Sequence, residues 1–268
     1  MFNDEKLLHT RHSAFNTIVI TEDDDGFRTL RFGYDGVPQS IVKPGHPEHL
    51  ELAYACAMPL FLAFRREPAR ILIVGLGGGS LPAFFHRLLP DTLIDVVEID
   101  KDVLDIAKTY CGFSEDARLH VYIEDGRDFI ESRHQHYDVI ILDSFDSESI
   151  PPHLLTIEFL HAIRDALTPN GIAVANIWGQ DTNPKYHDML RTYLEAFAEL
   201  YIIDVPAPGT KLFVALSAPS PMTRDELIAN ARQITIERDF SYDLIDSIAG
   251  FKNADQEDLR AGRVLRDK

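Results

Sequence analysis

The stretch ILIVGLGGGS, residues 71–80, decides the fold of this chain. Its apolar start predicts a buried strand, and the glycine-rich turn leads directly into a helical pattern over residues 80–89. Strand, tight turn and helix in this order begin a parallel α/β unit. Glycines at such a turn also let a ligand approach the backbone closely. The stretch therefore predicts an α/β sheet with a ligand site at the carboxyl end of its first strand.

The same alternation continues along the chain and predicts a mostly parallel sheet with helices on both faces. Two further apolar stretches, 201–205 and 211–217, are separated by the turn PAPG and predict an antiparallel pair at the far edge. That edge favours a methyltransferase-type Rossmann-like domain over a dehydrogenase. The predicted strands are 71–75, 93–99, 119–123, 139–143 and 172–178, and the predicted helices are 80–89, 101–109, 156–167 and 185–199.

A small antiparallel β region precedes this domain. Residues 14–42 read as short strands joined by turn-rich segments, which predicts an N-terminal β region over 1–46. The Rossmann-like domain then occupies 47–268 and begins with a helix over about 48–64.

The composition excludes several classes of partner. Acidic residues number 43 against 26 basic ones, giving a formal net charge of −17, which does not suit a surface that neutralises phosphates. The longest apolar run, 52–64, is too short to cross a bilayer and contains Pro59. Cys56 and Cys111 are too isolated for a disulfide framework or a zinc site. We expect a cytoplasmic protein that binds neither nucleic acid nor membranes and holds no metal.

The glycine turn and an acid on the second strand together predict a nucleoside site. Gly75, Gly77 and Gly79 belong to the turn whose backbone would meet the ligand. Glu98 ends the second strand, about where an acid accepts hydrogen bonds from ribose hydroxyls.

Acids also end the next two strands. Asp125 and Gly126 close the third strand, where the carboxylate would accept a hydrogen bond from the amino group of adenine or cap the following helix. Asp143 ends the fourth strand, and Asp146 lies three residues on. Carboxylates gathered at a sheet edge are costly unless they hold a cation or take up a proton, which predicts a site for a cationic substrate. The alternative is that Asp146 and Ser144 only cap the following loop.

Five motifs in this sequence resemble the spermidine synthase (polyamine aminopropyltransferase) family, in order and in spacing. They lie between about His12 and Ser217 and read DGVPQ (35–39), GLGGGS (75–80), VEID (97–100), EDG (124–126) and YDVIILDSFD (137–146). The resemblance implies an N-terminal β region, a Rossmann-like domain and assembly as a homodimer. It also implies that Glu98 holds the ribose and that Asp125 and Gly126 hold the adenine. Gln39 and Asn16 would contact the side chain of the nucleoside.

The same resemblance implies the reaction. Decarboxylated S-adenosylmethionine would be the co-substrate, and its aminopropyl group would pass to putrescine or another polyamine. Asp143 matches the acid that deprotonates or orients the attacking amine, and Asp146 matches a second acid that holds the polyamine.

The chain departs from the family pattern on the amine side of the site. Gly78 stands where the family carries an acid that binds the amine of the donor. Around residues 47–54 only Glu48, Glu51 and Tyr54 remain as loose substitutes for a Tyr-Gln-Glu type motif. SESIPP (147–152) replaces the usual Pro-Gly-Pro, and Ala207 stands where a tyrosine is expected.

These departures leave two alternatives to an aminopropyltransferase. One is a methyltransferase that uses S-adenosylmethionine itself, because a glycine at residue 78 removes the amine contact and leaves room for a carboxylate. The other is a non-catalytic homologue that keeps the nucleoside pocket.

Overall fold

The chain forms two sheets in the computed structural model, which describes residues 5–144, 150–205, 209–219, 222–248, 252–254 and 262–268. A four-stranded antiparallel sheet comes first, and an eight-stranded, mostly parallel sheet with helices on both faces follows. The predicted fold class, a methyltransferase-type Rossmann-like domain preceded by a small antiparallel β region, is confirmed.

The small sheet has the strand order β1-β2-β3-β4. Its first strand was not predicted, because none of its seven side chains is fully buried and its sequence, KLLHTRH, does not alternate. The strands are β1 (Lys6–His12), β2 (Thr17–Glu22), β3 (Arg28–Phe32) and β4 (Pro38–Val42).

The large sheet follows the predicted topology. Strands β5 to β9 run parallel, and β11 lies between β9 and β10, antiparallel to both. The order is β12-β10-β11-β9-β8-β5-β6-β7. The strands are β5 (Arg70–Val74), β6 (Leu93–Glu98), β7 (Leu119–Ile123), β8 (Tyr137–Leu142), β9 (Leu167–Trp178), β10 (Glu199–Asp204), β11 (Thr210–Leu216) and β12 (Lys252–Asn253).

The helix predicted over 48–64 is shorter than expected. An α-helix begins only at Ala53, and the chain tightens into a 3-10 helix from Met58, because Pro59 has no N–H to continue the α-helical pattern. The helices are α1 (Ala53–Ala57), α2 (Ser80–Leu88), α3 (Lys101–Tyr110), α4 (Gly126–Glu131), α5 (Ile157–Ala166), α6 (Tyr186–Ala196) and α7 (Arg224–Glu237), with 3-10 helices at Met58–Ala63, Pro152–Leu154 and Leu244–Ile248. Among the described residues, none of these helices has the length and apolarity needed to cross a membrane.

The large sheet separates two hydrophobic cores. Side chains of β5 alternate between them: Ile71 and Ile73 face the core that also contains residues of the small sheet, whereas Leu72 and Val74 face the other. Because both faces are covered, the strand reads as a continuous apolar run.

The small sheet is anchored on α3. The ring of His9 stacks on Tyr110 with ring centroids 4.9 Å apart, and Arg28 donates to the Tyr110 carbonyl. Arg11 forms an ion pair with Asp102 at 2.6 Å. These contacts place β4 over the glycine turn. The predicted domain boundary at residue 46 falls between β4 and α1 and stays a prediction.

The amino-terminal edge of the large sheet depends on one buried carboxylate. Asp138 at the start of β8 is 5% exposed. It accepts hydrogen bonds from the backbone N–H groups of Ala69 at 2.6 Å and Arg70 at 3.2 Å, and from Thr168 at 2.9 Å. Arg65 forms an ion pair with it. The carboxylate therefore ties the segment before β5 to β8 and β9.

We expect Asp138→Ala to lower the free energy of unfolding by about 2–5 kcal/mol, because two backbone donors lose their acceptor. Urea unfolding measures this loss. Asp165→Ala is the matched control: its side chain is 59% exposed, and the expected change is below about 0.5 kcal/mol. Equal effects of the two substitutions would contradict this role for Asp138.

Candidate active site

A cavity of about 1020 Å³ opens between the small sheet and the carboxyl edge of the large one. Its floor is formed by the ends of β5, β6 and β8 and by the turn after β7, and β4 supplies part of the roof. Open parallel sheets bind ligands at this edge, where the strand order reverses. Here the reversal lies between β5 and β8.

The structure brings most of the predicted site residues to this cavity. The lining includes Gln39, Gly75, Gly77, Glu98, Asp125, Gly126 and Asp143, together with Asn16. Gly79 does not line it, and Asp146 lies outside the described residues. Ligand-binding roles for all of these residues stay predictions.

Gly75 brings the first strand into direct contact with the fourth. Its φ is +100°, and a Cβ built on it would lie 2.3 Å from the carbonyl oxygen of Asp143. In addition, the Asp143 N–H donates to the Val74 carbonyl at 2.9 Å. Only glycine fits this backbone contact, which fixes Asp143 beside the turn.

Gly79 has a packing role in the structure. It caps the amino end of α2 with a φ of +82°, and a Cβ there would lie 2.5 Å from the Phe113 ring. The glycine thus lets the start of α2 pack closely against Phe113, which does not line the cavity.

Glu98 is held by the backbone on both carboxylate oxygens. It accepts from the N–H of Leu76 at 3.0 Å and from the N–H of Asp100 at 2.9 Å. Burial raises the pKa of Glu98, and the two backbone hydrogen bonds oppose that rise. The turn after β5 therefore fixes the direction of Glu98, while the free lone pairs of its oxygens remain for ligand hydroxyls.

Asp125 performs the capping role that was one of its two predicted readings. Its Oδ1 accepts from the N–H groups of Arg127 at 2.8 Å and Asp128 at 3.3 Å at the start of α4. Its Oδ2 lies 3.0 Å from Nε2 of His153. Since Asp125 also lines the cavity, capping does not exclude a ligand contact.

Asp143 accepts one hydrogen bond on each oxygen. Nδ2 of Asn176 donates to Oδ1 at 3.1 Å, and the hydroxyl of Tyr54 donates to Oδ2 at 3.2 Å. Burial raises the pKa of Asp143 from 3.8 to about 6, against the lowering effect of both donors. Burial and the neighbouring carboxylate raise the pKa of Tyr54 well above its ordinary value, so the phenol stays a donor. The pKa of Asp143 therefore lies just below neutral pH.

Two residues at the site were missed from the sequence. Asn176 interrupts the apolar run of β9 near its end, IAVANIW, and this polar position was the available signal. His153 follows two prolines in a segment without a family motif and carried no signal. Tyr54 was named only as a loose substitute, and its contact with Asp143 gives it a definite place.

The lining is strongly acidic. It contains five carboxylates, those of Asp35, Glu98, Asp100, Asp125 and Asp143, and none of its described residues is Lys or Arg. Such a cavity attracts cations and disfavours free carboxylates or phosphates. Among the described residues, no group of three or more His, Cys, Asp or Glu side chains could hold a metal ion.

The profile of the spermine/spermidine synthase domain matches residues 54–211. The chain belongs to the spermine/spermidine synthase family. It is 33% identical to the polyamine aminopropyltransferase of Vibrio vulnificus over 222 residues, which cover 80% of this chain and 73% of that protein. The prediction that the chain is a transferase is confirmed.

Two further relatives mark the range of this similarity. The eEF1A lysine and N-terminal methyltransferase of Bos taurus is 35% identical over 180 residues, which cover 62% of this chain and 26% of that protein. The crystal structure of a probable spermidine synthase from Corynebacterium glutamicum superimposes with a TM-score of 0.80 at 20% identity, covering 97% of this chain and 96% of that one. At that identity the superposition supports the fold alone.

The family position at Gly78 is filled differently in this chain. A Cβ on Gly78 would lie 3.0 Å from the Ser40 hydroxyl, 3.1 Å from Val42 and 3.4 Å from the Cys111 sulfur. Gly78 itself does not line the cavity. Because β4 packs against Gly78, the structure shows no open space at this glycine, and the expectation that it leaves room for a donor carboxylate stays a prediction.

We expect Gly75→Ala to destabilise the protein more than a left-handed backbone alone explains. Gly45 offers the matched control: its φ is +84°, and nothing lies within 4 Å of a Cβ there. Gly45→Ala should cost about 1–3 kcal/mol from backbone strain, and Gly75→Ala about 1–3 kcal/mol more, because the Asp143 carbonyl must move. Urea unfolding of both variants compares them, and an equal loss would disprove the contact.

Proposed function

We propose that this protein transfers an aminopropyl group from decarboxylated S-adenosylmethionine to an amine, with putrescine or another polyamine as the acceptor. The observation that carries the proposal is Asp143, a half-buried carboxylate held by two donors at the floor of a cavity whose described lining contains no Lys or Arg. Both substrates are cations, and neither brings a carboxylate. Similarity to an aminopropyltransferase over most of the chain agrees with this assignment.

The nucleoside part of the donor would bind along the glycine turn. Glu98 would accept the ribose hydroxyls with a carboxylate already fixed by two backbone donors. Asp125 and Gly126 would hold the adenine, and Gln39 of the small sheet would contact the donor from the roof. The sulfonium would then face Asp143, between the two sheets.

The chemistry requires a neutral amine. An alkylamine has a pKa of about 10.4, so nearly all of it is protonated near neutral pH. Asp143 would attract the cation and take up its proton. Burial brings the pKa of this carboxyl from 3.8 to about 6, which narrows the gap to the amine.

Bond changes then follow in one displacement. The amine nitrogen forms a bond to the aminopropyl carbon next to sulfur, the carbon–sulfur bond breaks, and its electron pair stays on sulfur as methylthioadenosine. Since the leaving sulfur is already positive, no group has to protonate it. Tyr54 and Asn176 would hold Asp143 in line with the nitrogen, which lowers the barrier through positioning.

A methyltransferase remains the second candidate, because the bovine methyltransferase is 35% identical over the part that it shares. Its donor brings a carboxylate into the cavity, and the described lining offers that carboxylate no Lys or Arg side chain. Calorimetric titration with methylthioadenosine, S-adenosylmethionine, S-adenosylhomocysteine and the decarboxylated donor, each with and without putrescine, separates the two. Tighter binding of the decarboxylated donor and methylthioadenosine supports aminopropyl transfer. Tighter binding of S-adenosylmethionine and S-adenosylhomocysteine, which carry a carboxylate, supports methyl transfer.

We expect Asp143→Asn to lower kcat about 10²- to 10⁴-fold, because the amine loses its proton acceptor. Methylthioadenosine should bind as it does to the wild type, since Asp143 contacts the amine side. The rate of methylthioadenosine formation from the decarboxylated donor and putrescine measures kcat, and calorimetry measures the affinity for methylthioadenosine. Asp165→Asn, at an exposed position, should change neither. Retained turnover in Asp143→Asn would remove Asp143 from this role.

We expect kcat/KM to fall as the pH drops through about 6, because protonated Asp143 cannot accept the amine proton. Asn176→Leu and Tyr54→Phe each remove a donor that stabilises the charged form, so both should move this acid limb to higher pH. Asn230→Leu is the control, since Asn230 bonds to the Ala63 carbonyl outside the cavity lining. An unmoved limb in both variants would contradict the assignment of the limb to Asp143.

A further inference from the structure

We propose that His153 is a positioning residue for the base of the donor, and that the C-terminal segment holds it in place through the ion pair of Arg127 with Asp267. The inference rests on the proposed function, in which Asp125 accepts a hydrogen bond from the amino group of adenine. It adds a side chain and a distant segment to that contact.

The hydrogen bonds of Asp125 show why a partner matters. Its Oδ1 is occupied by two N–H groups at the start of α4, and these leave Oδ2 for a ligand. The neighbour of Oδ2 among the described residues is Nε2 of His153, at 3.0 Å. A carboxylate oxygen can accept a second hydrogen bond, so His153 directs Oδ2 without excluding an amino group. Both side chains line the cavity.

Arg127 holds the backbone that carries His153. Its Nη1 donates to the His153 carbonyl at 3.2 Å and lies 3.4 Å from the hydroxyl of Thr156. The guanidinium faces the carboxylate of Asp267 with two contacts, at 2.7 and 2.5 Å. The Arg127 side chain is 18% exposed and that of Asp267 is 40% exposed, so the pair lies at the surface and its two parallel contacts fix its geometry.

Residues 262–268, here called the C-terminal strap, bring Asp267 to this position. The N–H of Arg263 donates to Asp188 at 2.7 Å, and the N–H of Leu265 donates to Thr192 at 3.0 Å. The Leu265 carbonyl in turn accepts from the N–H of Ile157 at 2.9 Å. The strap is thus fixed on α5 and α6 before it reaches Arg127.

Base selectivity tests the proposal, because a purely structural role would weaken all nucleosides alike. Methylthioinosine carries an oxygen in place of the amino group whose hydrogen bond Asp125 would accept. The preference of the wild type for methylthioadenosine over methylthioinosine should fall about tenfold in His153→Ala, the loss expected for one charge-assisted hydrogen bond. KM for the donor should rise while kcat stays within about twofold, and His153→Gln, which keeps an N–H donor, should restore the preference.

The strap gives the second arm of the test. Asp267→Ala should lower the same preference, and the double variant with His153→Ala should lose no more than His153→Ala alone, because Asp267 acts through His153. Arg266→Gln is the control: Arg266 is 66% exposed and faces Glu158, not Arg127, so the preference should stay unchanged.

Two results overturn the inference in distinguishable ways. A wild-type protein that does not prefer methylthioadenosine refutes the contact of Asp125 with adenine, and with it this inference, while aminopropyl transfer itself is tested by the titrations with the decarboxylated donor. A wild-type protein that has the preference, with His153→Ala keeping it in full, refutes the role of His153 and leaves the proposed function standing.

Discussion

The backbone contact between Gly75 and Asp143 is the constraint on which the site depends. The turn after β5 passes so close to the end of β8 that a Cβ on Gly75 would lie 2.3 Å from the Asp143 carbonyl oxygen. This contact sets the glycine turn and the carboxylate of Asp143 side by side at the switch in strand order. A parallel sheet with a bulkier turn would keep its fold and lose this geometry.

The second constraint is electrostatic. Two of the acids in the cavity, Glu98 and Asp143, are partly buried, and this burial disfavours their charged forms. The protein offsets this with donors: backbone N–H groups for Glu98, and Asn176 with Tyr54 for Asp143. The two carboxylates differ in result. Glu98 is held as a hydrogen-bond acceptor by two backbone N–H groups, whereas the pKa of Asp143 is about 6, close to neutral pH.

The fold and half of the site follow from local sequence signals. Apolar runs locate the strands, and acids at their carboxyl ends must meet because parallel strands share that edge, so Glu98, Asp125 and Asp143 were predictable. Asn176 was visible as a polar position in an apolar run, but the hydrogen-bond partners of Asn176 and His153 were not predictable, because they lie 33 and 28 residues away and the pairs depend on strand register and loop path. Gly79 shows the limit of the glycine signal: a glycine at such a turn suits a ligand or a packed ring equally, and the sequence does not show that the Phe113 ring lies against it.

Because the cavity lies between the two sheets, ligand binding and the docking of the small sheet on the large one are thermodynamically linked. Gln39 forms part of the roof from the small sheet, and the hydroxyl of Tyr54 lies 3.4 Å from its carbonyl and 3.2 Å from Asp143. A molecule bound there contacts both sheets and favours the arrangement in which they are docked. By the same linkage, substitutions at the remote stacking of His9 on Tyr110 can tune the affinity of the pocket without touching any group that reacts.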